Sequence, residues 1–273
     1  MKKIIDANYF QALGLRKYLS SSKENFVVLN DYAFMEAYKG NAIKSISKSI
    51  KIVSNFPRQV IVLKGTRDVV QLTLSSKDPR LLEDMDQTKG FRNFCLGVRL
   101  AVQGDDALKA QIIEKGMAAS AHLNGMRDDA FKVAEGIAEL TKSFTPEHLR
   151  ALRKRAKLSA DLVNKIIKEI LLLAALLFQK HPDVNQMPKA DQVRDTYIFR
   201  FAVSAYLLSL RWISDRGPGT VRLEKLRNDM VDMNYVAYAT FFDGLLTNDN
   251  KMNEIYRETC FVLKNAFAVQ TVT

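Results

Sequence analysis

Apolar and polar positions alternate in short blocks over about the first 65 residues. Lys3-Ile4-Ile5 reads as a short strand, and Asn8 to Leu19 has the length and periodicity of a helix. Phe26 to Leu29 (FVVL) predicts a second strand. Asp31 to Asn55 carries apolar residues at Ile43, Ile46, Ile50 and Val53, spaced by threes and fours, which predicts one helix. Pro57 stops it, and Val60 to Leu63 (VIVL) is a third strand. Strands that alternate with helices predict a parallel sheet covered on both faces.

From about Leu81 to Ser214 the strand-like runs give way to helical patterns, punctuated at Gly104, Thr145-Pro146, His181-Pro182 and Gly217-Pro218-Gly219. Thr145-Pro146 is a helix start, with threonine as the cap and proline in the first helical position. Ile170 to Phe178 (ILLLAALLF) is too short to span a bilayer and reads as a buried helix. After Gly219 come a helix over Val221 to Phe242, a strand over Gly244 to Thr247 and a helix from Lys251 to about Phe267. The expected organisation is an α/β domain built from residues 1–75 and 220–273, interrupted by an all-helical insertion over 76–219. Neither repeats nor low-complexity tracts occur.

Composition adds a bias toward certain partners. With 273 residues, 47% hydrophobic and 26% charged, the chain has the make-up of a folded protein with a substantial core. Lys and Arg outnumber Asp and Glu by 41 to 30, a net charge of +11 that favours polyanions. Nucleic acid is the first candidate and an anionic membrane surface the second, although many basic proteins bind neither. Cys95 and Cys260 have no metal-ligand spacing and suit a reducing cytoplasm as small core residues. The start, MKKIIDANYF, lacks the apolar stretch of a signal peptide, so a cytoplasmic protein without a membrane partner is expected.

Candidate chemistry lies in the carboxylates. The strand Ile4-Ile5 ends on Asp6, Phe26–Leu29 on Asn30-Asp31, and Leu245-Leu246 on Thr247-Asn248-Asp249. Open parallel sheets bind ligands beyond the carboxyl ends of their strands. Each acid alone is equally a turn residue or helix cap, and Asp31 can cap the helix that follows it. Stepping the isoleucine stripe backwards reaches Lys39 and Glu36, placing both on the core-facing side; Glu36 then meets a cation, a metal or the pocket edge, or pairs with Lys39. In the helix over 221–242 the apolar stripe runs Leu226, Met230, Met233, Ala237, Phe241, with Asp229 and Asp232 on one flank. These two are either pocket acids or ordinary solvated ones. Together Asp6, Glu36, Asp232 and Asp249, with Asp229, form an oxygen-only set of the kind Mg²⁺ or Mn²⁺ prefers.

IIDAN (Ile4 to Asn8), DYAFMEAYKG (Asp31 to Gly40) and RNDMVDMNYVAYATFFDGLLTND (Arg227 to Asp249) resemble a PIN domain. The resemblance covers about the first 65 and the last 55 residues; the helical middle is larger than the connection a compact PIN domain carries. It implies a three-layer fold with a central parallel sheet, and a metal-dependent ribonuclease such as the toxins of bacterial toxin–antitoxin pairs or other defence nucleases. On that reading Asp6, Glu36, Asp232 and Asp249 are catalytic and hold Mg²⁺ or Mn²⁺, with Asp229 alongside. Asn8 of the D-x-N and Thr247 of the T-x-D would orient ligands or water.

His148 to Lys168 (HLRALRKRAKLSADLVNKIIK) reads as one basic helix. Arg150, Arg153, Lys154, Arg155 and Lys157 could bind RNA phosphates, or form a solvated face. The insertion could also seat an inhibitory or complex-forming protein. Phosphate loops, dinucleotide fingerprints, zinc-protease motifs and nucleophile elbows are absent from the sequence. His122, His148 and His181 are scattered. Three function classes stay open: a metal-dependent endonuclease acting on RNA, an inactive PIN-like module that binds nucleic acid or protein, and a structural scaffold in a larger complex, which the helical insertion alone suggests.

Overall fold

The computed structural model describes residues 1–72, 78–154, 156–184, 186–215 and 223–267. The chain is mostly helical with a small, all-parallel sheet, and it divides into two compact units. The first comprises Met1–Val69, Lys77–Gly125 and Tyr238–Asn253; the second comprises Val70–Ser76, Met126–Ala237 and Glu254–Thr273. Residues 77–125, expected in the insertion, therefore belong with the sheet.

In the first unit β1 (Lys2–Ile5), β2 (Phe26–Leu29), β3 (Val60–Val62) and β4 (Leu245–Leu246) lie in the order β3-β2-β1-β4. Ile4 stands opposite Val28 on one side and Leu245 on the other. Val27, Val28 and Leu29 are all fully buried. Successive strand residues point to opposite faces, so this run is buried only if both faces are covered. Parallel strands also need crossovers, which α1 (Leu13–Ser21) supplies between β1 and β2.

α2 (Asp31–Ala37) and α3 (Ala42–Ser49) follow β2. The single helix expected over 31–55 is broken because Gly40 adopts φ +83° and Asn41 caps α3, its side chain accepting from Lys44 N–H at 3.1 Å. Glu36 thus sits on a different helix from the isoleucine stripe, and Lys39 is exposed rather than core-facing. The helix expected from Asn8 begins only at Leu13, after a 3₁₀ turn over Ala7–Tyr9. Beyond β3 come the short α4 (Thr66–Val69) and then α5 (Met85–Gln103), which packs on β3 and α3. α6 (Asp106–Lys142) contributes residues to both units. A Cβ at Gly116 of α6 would lie 2.6 Å from Ala42 Cβ, so glycine there allows α6 and α3 to approach.

The second unit is helical. α7 (Pro146–Arg153) is capped by Thr145, whose hydroxyl accepts from His148 N–H, with Pro146 in the first helical position. α8 (Ala160–Lys180) starts anew at the cap Ser159, so the basic stretch is two helices and not one. α7 and α8 both pack on α9 (Tyr197–Asp215). α8 turns Ile166, Ile170, Ala174 and Phe178 inward but leaves Leu171, Leu172 and Leu176 exposed, so the apolar run is only half buried. α10 (Leu223–Ala239) and α11 (Asn250–Asn265) complete the chain, and Arg211 of α9 pairs with Glu254 and Glu258 of α11 at 2.6 and 2.7 Å. Among the described residues no helix is long and apolar enough to cross a membrane.

Candidate functional site

The two acids that bracket β4 have different surroundings. Asp243 stands at the entry, where its carboxylate accepts from Lys2 N–H at 2.6 Å. It pins the start of β1, leaving the exit end of the sheet to Asp249.

At that exit Asp6 follows β1 directly and is 1% exposed. Its backbone N–H continues the ladder to Leu246 O at 3.0 Å. The ladder fixes where its side chain lies relative to the end of β4. The Thr247 hydroxyl donates to Asp6 Oδ2 at 2.7 Å and accepts from Asp249 N–H at 3.0 Å. One threonine thus ties the two acids together, which gives the T-x-D spacing a physical meaning. The carboxylate of Asp249 also caps α11, accepting from Met252 N–H at 3.0 Å. Asn8, expected to orient ligands through its side chain, meets Asp6 through its backbone N–H at 3.4 Å, while the residue itself is exposed.

Burial raises the Asp6 pKa above the ordinary carboxylate value; the bonds from Thr247 and Asn8 oppose this, and the nearby charge of Asp249 adds to it. Such a pair is an oxygen-only donor set under electrostatic stress. Mg²⁺ commonly binds one or two carboxylates and fills the rest of its shell with water and phosphate, so the pair fits such a cation in donor chemistry. Among the described residues no group of three or more His, Cys, Asp or Glu could hold a metal ion. The first unit therefore supplies the pair Asp6 and Asp249, not the expected larger set. Glu36 lies half-buried on α2. Asp229 and Asp232 belong to the second unit, where Asp229, 5% exposed, accepts from the Trp212 indole N–H at 3.1 Å.

Asp31, expected to cap the helix after β2, has a different role. Asn30 caps α2 instead, accepting from Ala33 N–H at 2.9 Å. The Asp31 carboxylate accepts from Thr66 N–H at 2.7 Å, from the Thr66 hydroxyl at 2.8 Å and from Tyr32 N–H at 3.0 Å. The Tyr238 hydroxyl lies 2.8 Å from Thr66 Oγ1. With Thr66 donating to the carboxylate, that bond is satisfied by tyrosine donating to threonine. Burial raises the Asp31 pKa and the bonds from Thr66 and Tyr32 oppose it. The available sequence signal is position alone: Asp31 follows the end of β2 much as Asp6 follows β1.

In the second unit Arg150, Arg153, Lys154 and Lys157 all reach solvent to some degree, as phosphate binding requires. Arg155 lies outside the described residues. His148 Nε2 lies 3.3 Å from Asp161 Oδ2, linking α7 to the start of α8. No protein-family model, curated protein or solved structure matches the chain.

Proposed function

We propose that the chain is a divalent-metal-dependent endoribonuclease of the PIN type. The observation that carries this reading is the threonine bridge at the carboxyl edge of the parallel sheet, where Thr247 binds the Asp6 carboxylate and the Asp249 backbone at once. That edge is where open parallel sheets engage ligands. Asp6 and Asp249 would hold Mg²⁺ or Mn²⁺, which supplies an activated water and stabilises charge on the leaving oxygen of a phosphodiester. Thr247 fixes the Asp6 oxygen in place, and α11 fixes Asp249 through its cap. Glu36, Asp232 and Asp229 enter on the sequence resemblance alone. The solvent-accessible cations of α7 suit sequence-independent binding of phosphates.

A second reading, a PIN-like module that binds nucleic acid without cutting it, is favoured by one observation. The described residues offer a carboxylate pair where the resemblance implies a larger set. Cleavage of single-stranded RNA decides between the two. The nuclease should require Mg²⁺ or Mn²⁺, and Asp6→Asn or Asp249→Asn should lower its rate by orders of magnitude. Cleavage that persists undiminished in EDTA would end the nuclease mechanism; tight RNA binding without cleavage would establish the module.

A further inference from the structure

The chain leaves Asp6 through the 3₁₀ turn over Ala7–Tyr9 and enters α1 at Leu13, so the first turn of α1 stands at the same carboxyl edge of the sheet as Asp6 and Asp249. Two hydrogen bonds fix this path: Tyr9 N–H donates to Asp6 O at 2.9 Å, and Ala12 N–H donates to Tyr9 O at 3.0 Å. The phenol of half-buried Tyr9 lies across α1 at Gly14, where a Cβ would come within 2.2 Å of the tyrosine oxygen. Glycine at that position seats the ring. The outward face of α1 continues from there. Leu13 is 79% exposed, and the exposed Arg16 and Lys17, three and four residues on, are its neighbours on that face. Lys17 also stands three residues beyond Gly14, one turn along from the ring. Among the described residues neither Arg16 nor Lys17 forms an ion pair.

We propose that this face of α1 is the surface along which single-stranded RNA approaches the Asp6–Asp249 pair, with one base stacked on Tyr9 and the phosphates beyond it on Lys17 and Arg16. Single strands are bound by combining cations that track the backbone with aromatic rings on which bases stack. α1 supplies both in the unit that holds the carboxylate pair. A small anion would use the two cations and leave the ring and Leu13 in water. A duplex would meet the cations too, but its bases are stacked inside and cannot cover Tyr9. Stacking tolerates any base, so the surface selects strandedness and not sequence. The placement of a phosphate at the pair rests on the ribonuclease reading; the binding of a single strand along α1 does not.

The test is equilibrium binding of a short mixed-sequence RNA to the full chain in EDTA, so that no cleavage contributes, with the duplex of the same sequence as comparator. The RNA carries a fluorescent adenine analogue whose emission is quenched when it stacks. The single strand should bind more tightly than the duplex, and the analogue should be quenched on binding. Tyr9→Leu should weaken the single strand about tenfold, leave its salt dependence unchanged and restore the emission at saturating protein, whereas Tyr9→Phe should keep both affinity and quenching. Arg16→Ala and Lys17→Ala should each flatten the slope of log K against log salt by roughly 0.7 and leave the quenching in place. Both side chains are exposed, so these variants fold even if Tyr9→Leu does not. No binding of the single strand, a duplex bound as tightly, quenching that survives Tyr9→Leu, or a salt slope unmoved by the two cation variants would each overturn the surface. Cleavage in Mg²⁺ then separates the two readings. Binding with these signatures and no cleavage would sink the ribonuclease reading and leave α1 as the RNA surface of a module that does not cut. Cleavage with an unchanged KM in Tyr9→Leu and in the Arg16→Ala/Lys17→Ala double variant would keep the nuclease and overturn the surface.

Discussion

The hydroxyl of Thr247 lies 2.7 Å from a carboxylate oxygen of Asp6, a residue 241 positions earlier in the chain. The same hydroxyl oxygen accepts the backbone N–H of Asp249 at 3.0 Å. Removing the hydroxyl while keeping the shape leaves a buried carboxylate oxygen without its donor and a backbone N–H without its acceptor. Thr247→Val should therefore destabilise the chain by about 1–3 kcal/mol. A denaturant midpoint unchanged from the parent would show that water replaces the bridge at no cost.

Asp6 makes a prediction of opposite sign. A carboxyl whose pKa is raised by folding holds its proton more tightly in the folded chain than in the unfolded one. Its contribution is thus most favourable below the ordinary carboxylate value and is lost as pH rises through the raised one. Asp6→Asn keeps an acceptor for Thr247 and abolishes the buried charge. Without metal, the variant should melt above the parent at neutral pH, and the gap should close as pH falls through the Asp6 titration. Asp31, also raised, titrates in both proteins and cancels from the difference. A gap that widens on acidification would contradict the sign.

The approach of α6 to α3 predicts a compensating pair of substitutions. In Gly116→Ala the new methyl would sit 2.6 Å from Ala42 Cβ, and both atoms are rooted on backbone. The strain should destabilise the chain by about 1–3 kcal/mol. Ala42→Gly removes the clashing atom, so the double variant should be more stable than the sum of the two single effects implies. Strict additivity in thermal unfolding would show that the helices separate freely.

The cations of α7 and the turn after it predict a salt effect. Replacing Arg150, Arg153, Lys154 and Lys157 by Ala should weaken binding to single-stranded RNA. Each phosphate left without its cation should flatten the slope of log K against log salt by roughly 0.7. Cleavage at saturating RNA should survive, because these side chains hold no metal. Titrations that superimpose on the parent across salt would make this face a solvated or protein-facing surface.

Where the sequence was legible, the signal was local and repeated. FVVL is β2 over the expected residues, and VIVL becomes β3 less its last position, because uninterrupted apolar runs rich in Val and Ile suit strands buried on both faces of a parallel sheet. Thr145-Pro146 starts α7 as its capping chemistry requires. Helix ends were less legible, since one residue overrides periodicity. Gly40 at φ +83° interrupts the stretch expected as one helix, and Ser159 restarts a helix inside a stretch of uniform basic character.

By itself the sequence determined the parallel strands, their order of appearance and the acids at their carboxyl ends, because strand patterns and strand-end positions are written in consecutive residues. Only the tertiary structure decided what those acids touch. Asp6 and Asp31 look alike in the chain, each close behind an apolar strand, yet one joins Asp249 through Thr247 and the other is gripped by Thr66 at a cavity edge. Likewise Asp229 reads as a helix-flank acid and proves buried against the Trp212 indole. The reason is physical. A carboxylate's role depends on the donors, charges and solvent around it, and those come from residues up to 241 positions away, set by packing rather than by neighbours in the chain.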